Sequence, residues 1–289
     1  MSDEGWCRYG GKKRSNENCE KPAEDGLPAQ SVGAWARLKH DRLRAYLAAT
    51  HAVRAKFIEP KGRGGAAFID LFSGPGRVRV RDCKDTEAGS ALIAFEHQAA
   101  PFSRLIFCDL EPDNVRALTT RTGGDPRVRV IEGDCNERID EILKQVPPEG
   151  LNLAFFDPFG AKVFHWDTIA RLAGVKRMDL LIHFPTNAIK RNFDNRTAPK
   201  FKETIDRMFG NENWRRQVQD PRDVARLIDV LREQLAGLGY DGEMVNTLPV
   251  TNDHGGLLYH LVFASKAPRG TAIWKSLSRH QGAQRGLGL

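Results

Sequence analysis

Apolar segments of strand length alternate with segments of helical periodicity between residues 66 and 184, and this alternation constrains the fold of the 289-residue chain most strongly. The predicted strands are AAFIDLF, RLIFCDL, RVRVIEGD, LNLAFFDPFG and MDLLIHFP. The helical segments between them are GSALIAFEHQA, PDNVRALTTR, NERIDEILKQV and DTIARLAG. Strands and helices that alternate in this way predict an α/β fold with a doubly wound, mostly parallel sheet.

Two further strands close the globular part of the chain. GEMVNTLPV and LLYHLVFASK are separated by the polar turn TNDHGG, which predicts an antiparallel hairpin. Such a hairpin after five parallel strands is unusual in nucleotide-dependent dehydrogenases. It is typical of the Rossmann-like sheet of class I methyltransferases. Residues 186–238, between the fifth strand and the hairpin, predict a helical insertion.

The remaining segments set the domain boundaries. Residues 1–31 are polar, aperiodic and rich in charge, which predicts a disordered tail. We therefore expect one domain over residues 32–280 and a short tail over 281–289. The chain has no apolar signal core or membrane-length apolar run, and its five cysteines include no C-x-x-C pair. We expect a cytoplasmic protein without a membrane partner, and the residue spacing predicts no metal site.

A glycine turn follows the first strand, in the stretch DLFSGPGRVRV. Gly74 and Gly76 are present, but the third glycine of a dinucleotide-binding motif is missing. A P-loop is excluded as well, because no Gly-Lys-Ser or Gly-Lys-Thr follows. S-adenosylmethionine (SAM) carries a sulfonium and no phosphate. It requires close approach of the backbone, which glycine permits, and a carboxylate near its cationic end.

Aspartates follow four successive strands at positions 70, 109, 134 and 157. The carboxyl ends of adjacent strands in a doubly wound sheet line one crevice, so these side chains should converge. Asp109, or alternatively Glu111, would bind the ribose hydroxyls of SAM, and Asp134 the adenine amino group. Aspartate also occurs after strands as a plain turn or cap residue. The predicted SAM contacts are Asp70, Phe72, Ser73, Gly74, Gly76, Asp109, Leu110, Asp134 and Cys135.

The stretch FFDPFG carries the predicted catalytic residues Asp157, Pro158 and Phe159. It resembles the Asp-Pro-Pro-Tyr motif of adenine amino-methyltransferases, although Phe159 and Gly160 depart from that pattern. The Asp157 carboxylate and the Pro158 carbonyl would accept the two amine hydrogens, and Phe159 would stack on the base. Alternatively, Asp157 only contacts SAM or caps a helix. Cytosine C5 chemistry is excluded because the chain has no Pro-Cys dipeptide.

The net charge of +7 suits a polyanionic partner such as RNA or DNA. The start of the helical insertion is basic and contains aromatic residues, which suits phosphate contacts and base stacking. We predict Lys190, Arg191 and Phe193 as substrate-binding residues, and Phe201 and Trp214 extend the same pattern. The alternative is a helical lid whose aromatic side chains point inward and whose charges are solvated.

Two residues outside these motifs allow more than one role. His183 ends the fifth predicted strand and could either accept a proton or have a purely structural role. Lys39, on the predicted first helix, could touch a ligand or lie on a solvated face.

Eight stretches of the chain together resemble the three-Cys-motif partner (TcmP) family of methyltransferases. They are LKHDRLRAYL, FIDLFSGPG, GSALIAFEH, IEGDCNERI, FFDPFGAKVFHW, DLLIHFP, MFGNENW and LYHLVFASKAPRGTAIW. The resemblance implies a possible protein partner that carries the three cysteines. The layout is also similar to that of bacterial ribosomal-RNA adenine-N6 methyltransferases, which implies ribose, adenine and catalytic roles for Asp109, Asp134 and Asp157.

We therefore expect a SAM-dependent N-methyltransferase that acts on an exocyclic amine of nucleic acid, such as adenine N6. Two alternatives stay open at this point. The chain could be a non-catalytic or SAM-binding partner subunit of another protein, or it could methylate a small molecule or a protein.

Overall fold

The computed structural model describes residues 22–285 except 59–63, 82, 192–198, 221–222 and 253. The strands in this part of the chain are β1 Gln30–Val32, β2 Ala66–Asp70, β3 Arg77–Val80, β4 Glu87–Ala88, β5 Arg104–Asp109, β6 Val128–Glu132, β7 Leu151–Phe156, β8 Met178–Phe184, β9 Asn246–Thr251 and β10 Leu257–Ala264. The helices are α1 Ala36–Ala49, α2 His51–Ile58, α3 Ser90–Phe95, α4 Pro112–Arg121, α5 Cys135–Leu143, α6 Trp166–Ala173, α7 Thr186–Arg191, α8 Pro199–Phe209, α9 Trp214–Gln217, α10 Val224–Gly237 and α11 Pro268–Arg285.

The central sheet has seven strands in the order β6-β5-β2-β7-β8-β10-β9. Strands β6, β5, β2, β7 and β8 pair in parallel, and β10 pairs antiparallel with β8 and β9. The predicted doubly wound sheet and its C-terminal antiparallel hairpin are therefore confirmed. The strand order reverses at β2, so the crevice of this fold opens at the carboxyl end of β2.

Helices cover both faces of the sheet and produce two hydrophobic cores. Along β2, Ala67 and Ile69 face one core, and Ala66 and Phe68 face the other. The first core is completed by α5, α6, α8 and α10, and the second by α1, α3, α4 and α11. Burial on both faces explains why the inner parallel strands β2, β5, β7 and β8 are mostly apolar.

A second, smaller sheet in the order β1-β3-β4 was not expected from the sequence. β3 follows the glycine turn and pairs in parallel with β1. The predicted disordered tail extended to residue 31, whereas residues 22–31 pack on the domain and include most of β1. Arg121 holds this segment, because its Nε atom lies 2.8 Å from an Asp25 carboxylate oxygen. A polar composition could not reveal this anchor, which lies 96 residues away along the chain.

The helical insertion forms α7 to α10, and its aromatic side chains point inward. Phe201 and Trp214 are buried in the first core, so they do not present rings for base stacking. The indole of Trp214 stacks on Phe209 and donates to Asp206 at 2.8 Å. Of the two interpretations that the sequence left open, these two aromatics follow the inward-pointing one, and their buried rings stabilise the insertion on the sheet. α11 extends to Arg285, past the predicted boundary at residue 280.

No helix in the described ranges combines the length and the apolar character that crossing a membrane requires.

The glycine turn makes a stability prediction. Gly76 has φ +89°, and a Cβ atom there would lie 2.8 Å from Leu118 Cδ1 and 3.1 Å from Leu92 Cγ. We expect Gly76→Ala to lower the free energy of unfolding by about 2–4 kcal/mol, because left-handed backbone strain and overpacking add. Gly123→Ala is the control, since Gly123 has φ +58° and nothing within 4 Å. It should cost only about 1–2 kcal/mol. If urea unfolding shows that both variants lose the same free energy of unfolding, the close packing of Leu92 and Leu118 around Gly76 is contradicted.

Candidate functional site

The aspartates predicted to converge do follow adjacent strands of the sheet. Asp70 ends β2, Asp109 ends β5, Asp134 follows β6, and Asp157 follows β7. Asp70 pairs in register with Phe107 of β5 and Phe155 of β7, so these strands end at the same edge. The four side chains nevertheless differ in what they contact.

Asp70 is buried and incompletely hydrogen-bonded. Its Oδ1 atom accepts from the Phe72 amide at 3.3 Å, and its Oδ2 atom has no hydrogen-bond partner among the described residues. Burial raises the pKa of Asp70 to about 7, with a further contribution from the charge of Asp157, and the nearby Ser90 hydroxyl opposes the shift. A buried carboxyl with an unpaired oxygen is a candidate partner for a cationic ligand group.

Asp109 holds the glycine turn in place. Its two oxygens accept from the Gly74 amide at 2.8 Å, the Glu111 amide at 3.0 Å and the Asn114 side-chain amide at 3.0 Å. Ser73 fastens the same turn through its amide and hydroxyl, which both donate to the Cys108 carbonyl. Asp109 is therefore occupied by protein donors, and a ribose contact by this residue stays a prediction.

Asp134 is the N-cap of α5. Its Oδ1 atom accepts from the Asn136 backbone and side-chain amides, both at 2.8 Å. No protein donor reaches its Oδ2 atom in the part of the chain that the structure describes, so that oxygen can accept from a ligand. The next residue, Cys135, is a buried free thiol and packs in the first core. A direct cofactor contact by its side chain stays a prediction.

Asp157 lies at the centre of a charged cluster. Lys39 from α1 donates to Asp157 Oδ2, and the Nδ1 atom of His183 from β8 lies 2.7 Å from Asp157 Oδ1. Burial by itself would raise the pKa of Asp157. The charge of Lys39 and the hydrogen bond from His183 outweigh burial and hold this pKa below its usual range. Asp157 is therefore ionised at neutral pH.

The ionised carboxylate fixes the tautomer of His183. A carboxylate can only accept, so the proton of the neutral imidazole lies on Nδ1 and the lone pair on Nε2. Burial lowers the pKa of His183 although Asp157 acts against it, which keeps the ring neutral. The ring stacks on Tyr259 of β10 with 3.8 Å between centroids. Asp157 and Tyr259 thus fix the orientation of the His183 ring, and its Nε2 atom can act as a proton acceptor.

The crevice between the glycine turn and Asp157 is narrow. The space bounded by Gln30, Lys39, Gly76 and Phe159 measures about 20 Å³. Gln30 of β1 crosses the turn, because its Oε1 atom lies 2.9 Å from where a Cβ atom of Gly74 would stand. The Gln30 and Lys39 side chains would therefore have to move to admit an adenosyl group.

Two large apolar side chains are exposed on either side of β2. Leu110, directly after β5, is 61% exposed, and Phe159, after β7, is 60% exposed. They are the exposed large hydrophobics among the described residues. Exposed apolar groups at the ligand-binding edge of such a sheet are candidates for contacts with flat, apolar ligand surfaces.

Phe159 also lines a cavity of about 480 Å³ between the loop after β7 and helices α7 and α8. Ala188, Lys162 and Lys200 contribute to its wall, so it combines apolar surface with positive charge. Lys190, a predicted substrate contact, is exposed on α7, two residues after Ala188. Arg191 ends α7, and Phe193 lies outside the described residues, so their side-chain roles stay predictions.

The sequence left the roles of Lys39 and His183 open and gave no indication of Gln30. An approach of α1 to the end of β7 is a tertiary contact that periodicity does not encode. No grouping of three His, Cys, Asp or Glu side chains suited to a metal ion occurs within residues that the structure describes.

No family model and no curated protein matches the chain. Three solved structures are similar to it: M. jannaschii TYW2 in complex with AdoMet, the methyltransferase domain of bacterial CtHen1-CN, and Trm1 from Pyrococcus horikoshii with S-adenosyl-L-methionine. Their identities are 10%, 12% and 11%, and their TM-scores are 0.43, 0.42 and 0.45. The similarity covers 84%, 79% and 87% of this chain and 83%, 99% and 62% of the other chains. At these values it identifies no substrate and no site residue here.

The Asp70 carboxyl makes a pH prediction. Its pKa is about 7 in the folded chain, against about 3.9 in an unfolded chain. Between these values the native state binds more protons, so the free energy of unfolding falls as the pH rises. We expect wild type to lose about 2.5 kcal/mol of stability between pH 5 and pH 8 relative to Asp70→Asn, measured by urea unfolding, which is the part of the full effect of about 4 kcal/mol that falls in this pH range.

Asp113→Asn, at an exposed position of α4, is the matched control and should keep the wild-type pH dependence. If the free energy of unfolding changes with pH in the same way for wild type and Asp70→Asn, the pKa of Asp70 is not raised in the folded chain.

Proposed function

We propose that the chain is a SAM-dependent methyltransferase that acts on an exocyclic amine of nucleic acid, with adenine N6 as the leading target. One observation carries the proposal. Around β2, the ligand-binding edge of the sheet brings together a glycine turn, a buried carboxyl with an unpaired oxygen and two exposed apolar side chains. The strand order, with its antiparallel C-terminal hairpin, is the one expected for a methyltransferase.

The residues at this edge fit the parts of SAM. Gly74 and Gly76 would let the backbone approach the methionine part, and Asp70 would face the cationic end. Leu110 would cover one face of the adenine, and the second oxygen of Asp134 would accept from its amino group. Asp109 would act on the ribose indirectly, by fixing the conformation of the glycine turn against which the ribose would lie. When bound, SAM supplies a methyl group on a sulfonium, open to in-line attack.

Asp157 and Pro158 would position the acceptor nitrogen. Each oxygen of Asp157 has one protein donor and keeps a further lone pair for a substrate hydrogen. The Pro158 carbonyl would accept the second amine hydrogen, which turns the nitrogen lone pair towards the methyl group. Phe159 would stack on the base, and the cavity of about 480 Å³ beside it has room for a nucleobase removed from its stack.

A second candidate is methyl transfer to a hydroxyl group, and the 2.7 Å contact between Asp157 and His183 favours it. An aspartate that holds a neutral imidazole on its Nδ1 side leaves Nε2 free to take a proton. A hydroxyl needs such a base, because its oxygen is a weak nucleophile while protonated.

Exposed basic side chains support a nucleic-acid substrate. Lys162 and Lys200 line the cavity beside Phe159, and Lys190, Lys202 and Arg207 are exposed on helices α7 and α8. Charges so placed can bind phosphates. Membership of the TcmP family, with its protein partner and a cytoplasmic location, also stays a proposal, and it rests on the sequence resemblance alone.

Calorimetry with SAM tests the cofactor assignment. We expect Leu110→Asp to weaken SAM binding at least tenfold, because it replaces the adenine-facing surface with a charge. Phe159→Ala is the control, since it removes the other exposed apolar side chain and should leave SAM affinity unchanged. Gln30→Ala, which widens the crevice, should bind no more weakly than wild type. The proposal is wrong if wild type and Gln30→Ala both produce no binding heat.

Transfer of a tritiated methyl group from SAM tests the reaction, with RNA, DNA and lysate protein as separate pools. We expect label in a nucleic-acid pool, N6-methyladenine after digestion, and at least a 100-fold loss of rate in Asp157→Asn. His183→Asn should slow amine methylation less than tenfold. A loss of 100-fold or more in His183→Asn, together with a methylated hydroxyl, would establish the second candidate instead.

Two other results of the same assay would overturn the proposal. SAM binding without transfer to any pool would indicate a non-catalytic partner subunit. Label confined to protein would indicate a protein methyltransferase, whose nucleic-acid affinity should then change little with salt.

A further inference from the structure

A second cavity lies at the opposite edge of the sheet from the crevice. It measures about 350 Å³ and is bounded by α1, α2, the start of α11, and the amino-terminal ends of β7 and β8. Its volume lies within the range of about 300–1,000 Å³ that small-molecule sites occupy. None of the residues assigned to methyl transfer above lines it.

The walls of this cavity are mainly apolar. Leu47 and Val53 line it from α1 and α2, Phe102 and Leu153 from the sheet side, and Ile273 from α11. Leu47, Phe102 and Leu153 are buried members of the second core, so the cavity opens directly onto that core. An apolar ligand body would gain free energy by leaving water here.

The charges around the cavity are predominantly positive. Five basic residues and one acidic residue line it: Arg54, Lys176, Arg177, Lys266, Arg269 and Asp179. Lys176 and Arg177 share the carboxylate of Glu149, at 3.0 Å and 3.1 Å. With Glu149 included, five cations face two carboxylates, so an anion would find a favourable potential.

Arg54 is the most informative of these cations. It is 1% exposed, and its guanidinium donates only to neutral groups: the carbonyls of Leu47, Ala99 and Ala100 and the Thr50 hydroxyl. Within the described residues no carboxylate pairs with it, and burial lowers its pKa to about 10. Buried charges are ordinarily paired, so Arg54 leaves an uncompensated positive charge at the cavity wall.

The acidic residue forms no ion pair with Arg54 in the described part of the chain. Asp179 accepts a hydrogen bond from the Tyr46 hydroxyl at 2.6 Å instead, and burial raises the pKa of Asp179. Arg269, at the start of α11, is exposed and forms no ion pair in the described part of the chain. Its guanidinium can therefore bind a ligand carboxylate, sulfonate or phosphate directly.

We propose that this cavity is a binding site for a small amphipathic anion, whose apolar body lies against Leu47, Phe102 and Ile273 and whose anionic group faces Arg54 and Arg269. The site does not depend on the proposed methyl transfer, since it lies at the other edge of the sheet.

Two matched fluorescent probes test the site on the full chain. They are 8-anilinonaphthalene-1-sulfonate and N-phenyl-1-naphthylamine, which is the same molecule without the sulfonate. We expect the sulfonate probe to bind with a stoichiometry near one and at least tenfold more tightly than the neutral probe. Saturating SAM should not displace it. Equal affinities for the two probes, no binding, or displacement by SAM would each overturn the proposal.

Variants locate the bound probe. Ile273→Trp fills the cavity and should weaken the sulfonate probe at least tenfold, whereas Ala188→Trp fills the cavity beside Phe159 and should not. Arg269→Glu should weaken the sulfonate probe and leave the neutral one unchanged. Arg129→Glu reverses another exposed charge, on the edge strand β6, and is the control. Thermal melting checks that each variant is folded. Normal binding by a folded Ile273→Trp protein would place the probe elsewhere and refute the site.

Discussion

The charge of Asp157, whose side chain is only 14% exposed, is the constraint on which the candidate site depends. A carboxylate at this depth is stable only if it is paired, and Lys39 and His183 pair it from two sides. Because these partners belong to α1 and β8, the pairing connects the first helix of the domain to the carboxyl edge of the sheet. Tyr259 extends the contact to the C-terminal hairpin by stacking on His183. The need to pair the Asp157 charge, together with the stacking of Tyr259, thus connects α1, the end of β7, β8 and β10 around the place where an acceptor group would lie.

Asp70 and Asp157 are neighbours with opposite electrostatic environments. Asp157 has a cation and an imidazole and stays ionised, whereas Asp70 has an unpaired oxygen and a raised pKa. Groups with perturbed pKa values cluster at functional sites, and these two carboxyls are perturbed in opposite directions. A cationic cofactor beside Asp70 would favour its ionised form and complete the charge balance of the crevice. The cavity between α1, α2 and α11 has the opposite electrostatic character. Its charged lining residues are mainly basic, and Arg54 lacks an anionic partner among the described residues.

The sequence predicted the central sheet well because its inner parallel strands are mostly apolar and the longer helices between them have a 3.6-residue period. α4, for example, begins at Pro112 and ends at Arg121, as its pattern predicts. The small sheet was missed because its strands β1, β3 and β4 have only three, four and two residues. β3 does alternate Arg with Val, but one alternation of four residues is too short to identify a strand or its partner. The inward direction of Phe201 and Trp214 was also undetermined, since a basic segment with aromatic residues is compatible with either face.

By itself, the sequence determined the fold class, the strand-end positions of the four aspartates and the glycine turn, because these follow from periodicity and from the conformations that glycine allows. Only the tertiary structure decided what each aspartate does. Asp109 fastens the turn, Asp134 caps a helix, Asp70 keeps one oxygen without a partner among the described residues, and Asp157 is paired with Lys39 and His183. The physical reason is that a carboxyl group takes its pKa and its partners from side chains brought near it by folding, some of them more than 100 residues away.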